Sequence, residues 1–202
     1  MAGISAPKML VKEFRIRGTT PYVGHKFSVI NIQKIKKAQE AGSQGKKGNK
    51  REKRDFEEDF RQATHRDVKA GWPGMAASAF RCAMVSACRL VGFKMTIAKL
   101  SVFVEADGYD DGKIPLIRID QEPKMHIQEA RLETGVISLT CRPMWKPGWT
   151  AKVRMRYDAD QFSEADVIAL MQRVGMQVGL GEGRPDSKRS TGVGWGLFEV
   201  IE

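Results

Sequence analysis

Two stretches of this chain alternate between apolar and charged residues so regularly that each has one backbone option. In MLVKEFRIRG, Leu10, Phe14 and Ile16 fall on one side together with Lys12, while Glu13, Arg15 and Arg17 fall on the other. In TAKVRMRYDAD, Ala151, Val153, Met155 and Tyr157 oppose Lys152, Arg154 and Arg156. A period of two marks a strand with one buried face and one in water. The charged sides of the two strands hold five cations and one carboxylate, Glu13. Such a face repels itself unless a partner or a covering segment meets it.

Two helices accompany these strands. In GWPGMAASAFRCAMVSACRLVG, Phe80, Ala83, Met84, Ala87, Leu90 and Val91 recur at three- and four-residue steps, and Gly92 supplies a stop. In QFSEADVIALMQRVG, Ser163 and Asp166 form an Asp variant of the capping box, Phe162 and Val167 stand at staple positions, and Gly175 ends the pattern. GVISLTCR alternates as a further strand, joined to residues 150–158 by a turn holding Trp145 and Trp149. Those rings are suited either to anchoring the loop or to stacking on bases. WGLFEVIE reads as the last strand.

With two insertions set aside, about 19–74 and about 96–134, the order is strand, helix, strand, strand, helix, strand. It predicts an α+β fold of the ferredoxin-like (RRM-like) split βαβ kind, with an antiparallel sheet, in a single domain over 1–202. In that arrangement the first and third strands are central, so Arg15, Arg17, Lys152, Arg154 and Arg156 share one face. Neither strand puts an aromatic there, so phosphate contacts are expected to outweigh base readout. The first insertion carries GSQGKKGNKREKR, a run with no apolar residue. It reads as a basic arm whose Lys46, Lys47, Lys50, Arg51, Lys53 and Arg54 meet a polyanion, or as a solvated loop. The second insertion reads as β hairpins around an acidic turn containing Asp107, Asp110 and Asp111.

The formal net charge of +10 over 202 residues favours polyanionic partners, nucleic acid first. Neither a membrane span nor a secretory signal is expected, and the three cysteines, Cys82, Cys88 and Cys141, have no C-x-x-C spacing and read as reduced, buried thiols. No cofactor and no metal are expected. The three histidines have no metal-ligand spacing, although His25, beside Lys26 and near Tyr22, suits metal-free cleavage of RNA by acid–base chemistry.

Near the C-terminus, GLGEGRPDSKRSTGVGWGLFEV holds Gly179, Gly181, Gly183, Gly192, Gly194 and Gly196. A dinucleotide fingerprint needs G-x-G-x-x-G after a strand and opening a helix; here the run follows a helix and leads into a strand. The glycines instead suit a backbone that passes close to the first helix and to a bound strand, with Arg184, Lys188 and Arg189 extending the basic surface. The spaced pairs Gly179-Leu-Gly181 and Gly192-Val-Gly194, the turn-and-helix WPGMAASAFRCAM and the opening FRIRGTTPYVGHKF together resemble the repeat-associated mysterious protein (RAMP) superfamily. The resemblance is nearest to backbone subunits of CRISPR effector complexes and to phage and plasmid relatives. It implies a cytoplasmic protein of a bacterial or phage-infected cell that polymerises along single-stranded RNA or DNA, alone or with other protein subunits. It implies contacts at Arg15, Arg17, His25, Lys26, Arg81 and the Gly179–Gly196 loop. The alternatives are an RNA-processing endoribonuclease of the same superfamily, with His25 as acid or base, and a phage structural or inhibitory protein binding an acidic protein.

Overall fold

The alternation in residues 9–18 and 150–158 is realised as the two middle strands of an antiparallel sheet. The computed structural model describes residues 5–27, 33, 36–37, 39–40, 54–131, 137–187 and 193–202. In chain order the strands are β1 (Met9–Gly18), β2 (Tyr22–Val23), β3 (His65–Arg66), β4 (Pro73–Ala76), β5 (Val102–Glu105), β6 (Gly108–Tyr109), β7 (Pro115–Arg118), β8 (Lys124–Arg131), β9 (Ile137–Trp145), β10 (Thr150–Asp158) and β11 (Phe198–Val200). The helices are α1 (Phe56–Ala63), α2 (Ala77–Leu90), α3 (Met95–Ser101) and α4 (Glu164–Arg173). The fold is therefore α+β with antiparallel sheets.

The main sheet has the order β11-β1-β10-β5. β1 and β10 pair from Met9 opposite Asp158 to Arg17 opposite Thr150. Phe14, Ile16, Ala151, Val153, Met155 and Tyr157 are all buried on one side. They meet Phe80, Ala83, Met84 and Ala87 of α2 and Val167, Leu170 and Met171 of α4 in one core. Burying each larger apolar side chain contributes roughly 1.5–3 kcal/mol, so this layer commits the sheet to one orientation. Lys12, the cation on the apolar side, reaches past the core edge to Glu164 at the start of α4, 2.7 Å away. The Ser163–Asp166 capping box is formed, and Phe162 and Val167 are buried beside it.

Several expectations are corrected. The strand beside β10 is β5, from within the expected second insertion, and not residues 137–142. β9 instead pairs with β8 from Lys124↔Met144 to Arg131↔Ile137, with β2 on its other side. The turn between β9 and β10 explains the difference, because its tryptophans are buried anchors and not exposed stacking rings. Trp145 Nε1–H donates to the Gln121 carbonyl (2.8 Å) and Trp149 Nε1–H to the Thr20 carbonyl (3.0 Å). Tyr22 packs on both rings, with centroids 5.2 and 5.7 Å away. A Cβ on Gly18 would stand 1.9 Å from Trp149 Nε1, so that ring sits directly on the end of β1. Thus the turn swings β9 away instead of folding it back as a hairpin.

Along α2 the pattern stops earlier than expected, and Leu90 and Val91 are exposed. α3 was not foreseen, since its apolar positions span too few turns to declare a period. Gly175 does not end α4. The chain continues through a π-helical turn, Val174–Val178, and stops at Gly179 with φ of 71°. Gly175 serves packing: a Cβ there would lie 2.2 Å from the Phe198 carbonyl oxygen of β11. Cys88 and Cys141 are buried but Cys82 is exposed, and all three are free thiols.

The remaining sheet, β3-β4-β7-β6, joins the main one through a bridge between Ile119 and Ala151. Among the described residues no helix is long and apolar enough to cross a membrane.

The closing glycines separate backbone strain from crowding. Gly194 and Gly196 have φ of 71° and 74°, but a Cβ on Gly194 meets nothing within 4 Å while one on Gly196 would lie 1.8 Å from the Leu180 carbonyl oxygen. Gly194→Ala is expected to cost about 1–2 kcal/mol for the left-handed backbone alone. Gly196→Ala is expected to cost roughly 3 kcal/mol or more, because packed backbone must move as well. Urea midpoints for the two variants at equal m-value check this.

Candidate nucleic-acid interface

The strand pairing gathers the five sheet cations on the face away from the helices. Arg15, Arg17, Lys152 and Arg156 are exposed there and Arg154 is half-buried. The edge strands, however, bring carboxylates that the charges of β1 and β10 did not reveal. Arg17 bonds Glu199 of β11 (Nε to Oε1, 2.7 Å). Lys152 meets Glu13 at 3.0 Å, and Arg154 meets Glu105 of β5 at 3.8 Å and Asp107 at 3.3 Å. The expectation that Glu13 is the one carboxylate on this face is thereby corrected.

Arg15 is the exception. It stands opposite Lys152 in the register and has no carboxylate partner among the described residues. Arg156 likewise has none there; its guanidinium lies over the Phe103 ring, 5.4 Å from the centroid. Phe103 is opposite Arg156 in the β5–β10 pairing and so stands on the cationic face. An aromatic is therefore present on this face, supplied by the strand that the sequence pattern had assigned to an insertion.

The other expected contacts separate clearly. Arg81 is held by the fold: its Nε–H donates to the Val102 carbonyl (3.0 Å), its Nη2 to the Lys99 carbonyl, and its guanidinium lies 5.3 Å from the Phe103 centroid. It satisfies carbonyls at the end of α3, and no ligand is needed to explain it. Lys26 is 8% exposed and turned inward to Asp111 and Asp110. His25 points elsewhere, with Nδ1 3.1 Å from Glu182. Burial pushes Glu182 up, yet hydrogen bonds from His25 and Arg142 outweigh it and hold the carboxyl below its ordinary value. Arg54 pairs with Asp59, lies over Phe56 and donates to the Leu139 carbonyl, which fixes it to α1 and β9. Lys46, Lys47, Lys50, Arg51, Lys53, Lys188, Arg189 and Gly192 lie outside the described residues.

The glycine-rich loop is seated on the protein itself. Gly179, Gly181 and Gly183 all have φ between 71° and 75°. A Cβ on Gly181 would lie 2.3 Å from the Val23 carbonyl oxygen, so the loop runs directly against β2. Asp186 fastens it to α2 through Ser86 and through Arg89 at 2.6 Å, bonds that hold the Asp186 carboxyl low. Between loop and helix lies a cleft of about 420 Å³ lined by Ser78, Cys82, Ser86 and Gly179–Gly181, with Arg184 at its rim. Arg184 Nη1 donates to the Gly181 carbonyl (2.9 Å). The expected proximity of the loop to the helix of residues 77–90, α2, is thus present, and the glycines also serve contact with β2.

Much of the excess charge falls in one stretch of the sequence. Residues 34–54 contain nine of the Lys and Arg and two Glu. Lys26, ahead of that stretch, and Arg54, at its end, are both anchored. Behind Lys26 lies a buried polar cluster that pattern reasoning missed. His65 Nδ1 is 2.7 Å from Asp110 Oδ2, and Asp110 Oδ1 accepts from the Gly112 and Ile114 amides, each at 2.9 Å. His65 was passed over because a histidine without a neighbouring ligand type gives no spacing signal.

No protein-family model matches the chain, and no curated protein matches it either.

The His65 cluster has a pH consequence. Burial lowers the pKa of His65 from its ordinary 6.5, although Asp110 works in the opposite sense. The unfolded chain therefore binds a proton near pH 6 that the native state refuses. Stability contributed by this site is complete above pH 6.5 and falls as pH drops towards the folded value. The wild-type melting midpoint should fall between pH 7.5 and 5.5, and His65→Gln should flatten that dependence.

Proposed function

We propose that this chain is a single-stranded nucleic-acid-binding protein on a ferredoxin-like core, with the open face of the β11-β1-β10-β5 sheet as its platform. The observation that carries the reading is the pair Arg15 and Arg156. Both are exposed on the sheet face opposite α2 and α4, neither has a carboxylate partner among the described residues, and Phe103 stands beside Arg156. Unpaired guanidiniums beside an aromatic suit a phosphate backbone with unstacked bases. The core assignment is supported by the series β1, α2, β5, β10, α4, β11, whose first and third strands are central, as a split βαβ unit requires.

The basic arm at 46–54 adds a second, long-range attraction, and its charge steers the strand towards the sheet. Four strands at about 4.8 Å spacing make a platform of roughly 15 Å, so one copy holds a few nucleotides. Copies of the chain therefore line up along the strand, as members of the RAMP superfamily would. Cleavage is the less favoured reading, because Lys26 is buried and His25 is engaged with Glu182.

Binding to labelled single-stranded RNA and DNA should fall linearly in log–log form with salt, by about 0.7 per phosphate neutralised. Arg15→Ala and Arg156→Ala should each weaken binding about threefold to tenfold and reduce that slope, whereas Arg81→Ala should mainly lower stability. A dissociation constant indifferent to salt, or wild-type affinity in the Arg15→Ala, Arg156→Ala double variant, would overturn the reading.

A further inference from the structure

Beyond the guanidiniums, the cationic face continues across the Ile119–Ala151 bridge into the second sheet. Ile119 is buried on the core side, so its neighbours Arg118 and Asp120 turn to the same side as Lys152. There a cleft of about 370 Å³ opens, lined by Trp72, Asp107, Arg118, Asp120 and Lys152. Trp145 and Trp149 are buried, but Trp72 is half-buried and open to this cleft. Its six-membered ring lies against Gly74 of β4 and Gly108 of β6; a Cβ on either would come within 3.0 Å and 2.7 Å of ring atoms. Neither glycine has a positive φ, so close approach, and not backbone conformation, is what calls for them. Gly74 also passes the Ile117 carbonyl and Gly108 the Asp67 carboxylate, so the seat is rigid on several sides.

The rim is chemically divided. Arg118 is exposed with no ion-pair partner among the described residues, and Lys152 stands beside it with Glu13 as its partner. Asp107 is fully used: Oδ2 accepts from the Arg118 amide (3.0 Å) and Oδ1 from Arg154 (3.3 Å). Asp120 is half used. Its Oδ2 accepts from the Thr150 hydroxyl (2.7 Å), which fixes the carboxylate, while Oδ1 has no partner among the described residues.

An indole wall, a held carboxylate with one oxygen to spare and two flanking cations suit the face of a base, its polar edge and the phosphates on either side. We propose that this cleft takes one base of the bound strand. This inference rests on the reading of the chain as a single-strand binder and gives that surface a base preference. Trp72 stacks on the base, Asp120 accepts from an exocyclic amino group, and Arg118 and Lys152 meet the phosphates on either side. Cytosine, adenine and guanine carry such an amino group. Uracil and thymine present carbonyl oxygens on either side of one N–H, which the carboxylate repels. The strand is therefore read for amino-bearing bases at one position per copy.

The test compares anisotropy of labelled oligo(dC), oligo(dA) and oligo(dT) with wild type, Trp72→Ala, Trp72→Phe and Asp120→Asn, each with its melting midpoint. Oligo(dC) should bind wild type about tenfold more tightly than oligo(dT), and Asp120→Asn should reduce that ratio to about twofold. Trp72→Ala should weaken every oligomer roughly tenfold, and Trp72→Phe should retain most of the affinity. Since Trp72→Ala also empties the seat over Gly74 and Gly108, the melting midpoint and the Phe variant separate lost stacking from lost folding. Salt-dependent binding that is equal for dC and dT and unchanged in Asp120→Asn and Trp72→Ala would overturn the pocket and leave the binding reading intact. If wild type bound no oligomer, that reading would fail. The cleft is then decided by cytidine monophosphate titrated against tryptophan fluorescence: quenching lost in Trp72→Phe supports it, and identical traces overturn it.

Discussion

Everything in this molecule depends on the antiparallel register of β1 and β10. A slip of one residue would carry Phe14, Ile16, Val153 and Met155 into water and drive arginines into the helix-covered side. The apolar halves of the two strands meet α2 and α4, so the helices and the cations are sorted to opposite faces by the same pairing. Function, on this view, needed no separate scaffold. The layer that stabilises the fold is the layer that displays the charges.

The charges are nevertheless graded. Arg17, Lys152 and Arg154 lean on carboxylates at short range, which keeps a crowded cationic face compatible with stability when no ligand is present. Exposed pairs of this kind contribute little each, and a phosphate can displace them at modest cost. Among the described residues, Arg15 and Arg156 have no such carboxylate to leave. The face therefore combines two guanidiniums without carboxylate partners among the described residues and a set of ion-paired cations, while nine of the chain's Lys and Arg fall within residues 34–54.

The main sheet's centre was legible because alternation is a local property, and so were the capping box and the buried face of α2. What escaped was long-range choice. β5 is a short apolar run and the strand at 137–142 alternates, and nothing in either says which will lie beside β10. That is settled by Trp145, Trp149 and Tyr22, whose packing turns β9 into another sheet. The wrong neighbour hid Glu105 and Phe103 from the candidate site, and with them the charge balance and the aromatic. Glu199 was hidden differently, because three residues of β11 are too few to reveal which way a side chain points. Trp72 and Asp120 come from a β3–β4 loop and a residue beyond β7; only the fold brings them together.

The position of β11 has a consequence for how the chain is made. β1 leaves a ribosome before either of its neighbours in the sheet, which come from residues 150–158 and 198–200. At a synthesis rate of about 5–20 residues per second, β1 waits roughly ten seconds or more before its second edge is covered. Such a strand is open to pairing with any other nascent chain, and charge is the usual guard against that. Arg15 and Arg17 stand at the part of β1 that waits longest, the stretch that β11 finally covers. The charges displayed by the exposed side of β1 thus also keep that strand solitary while the chain is being finished.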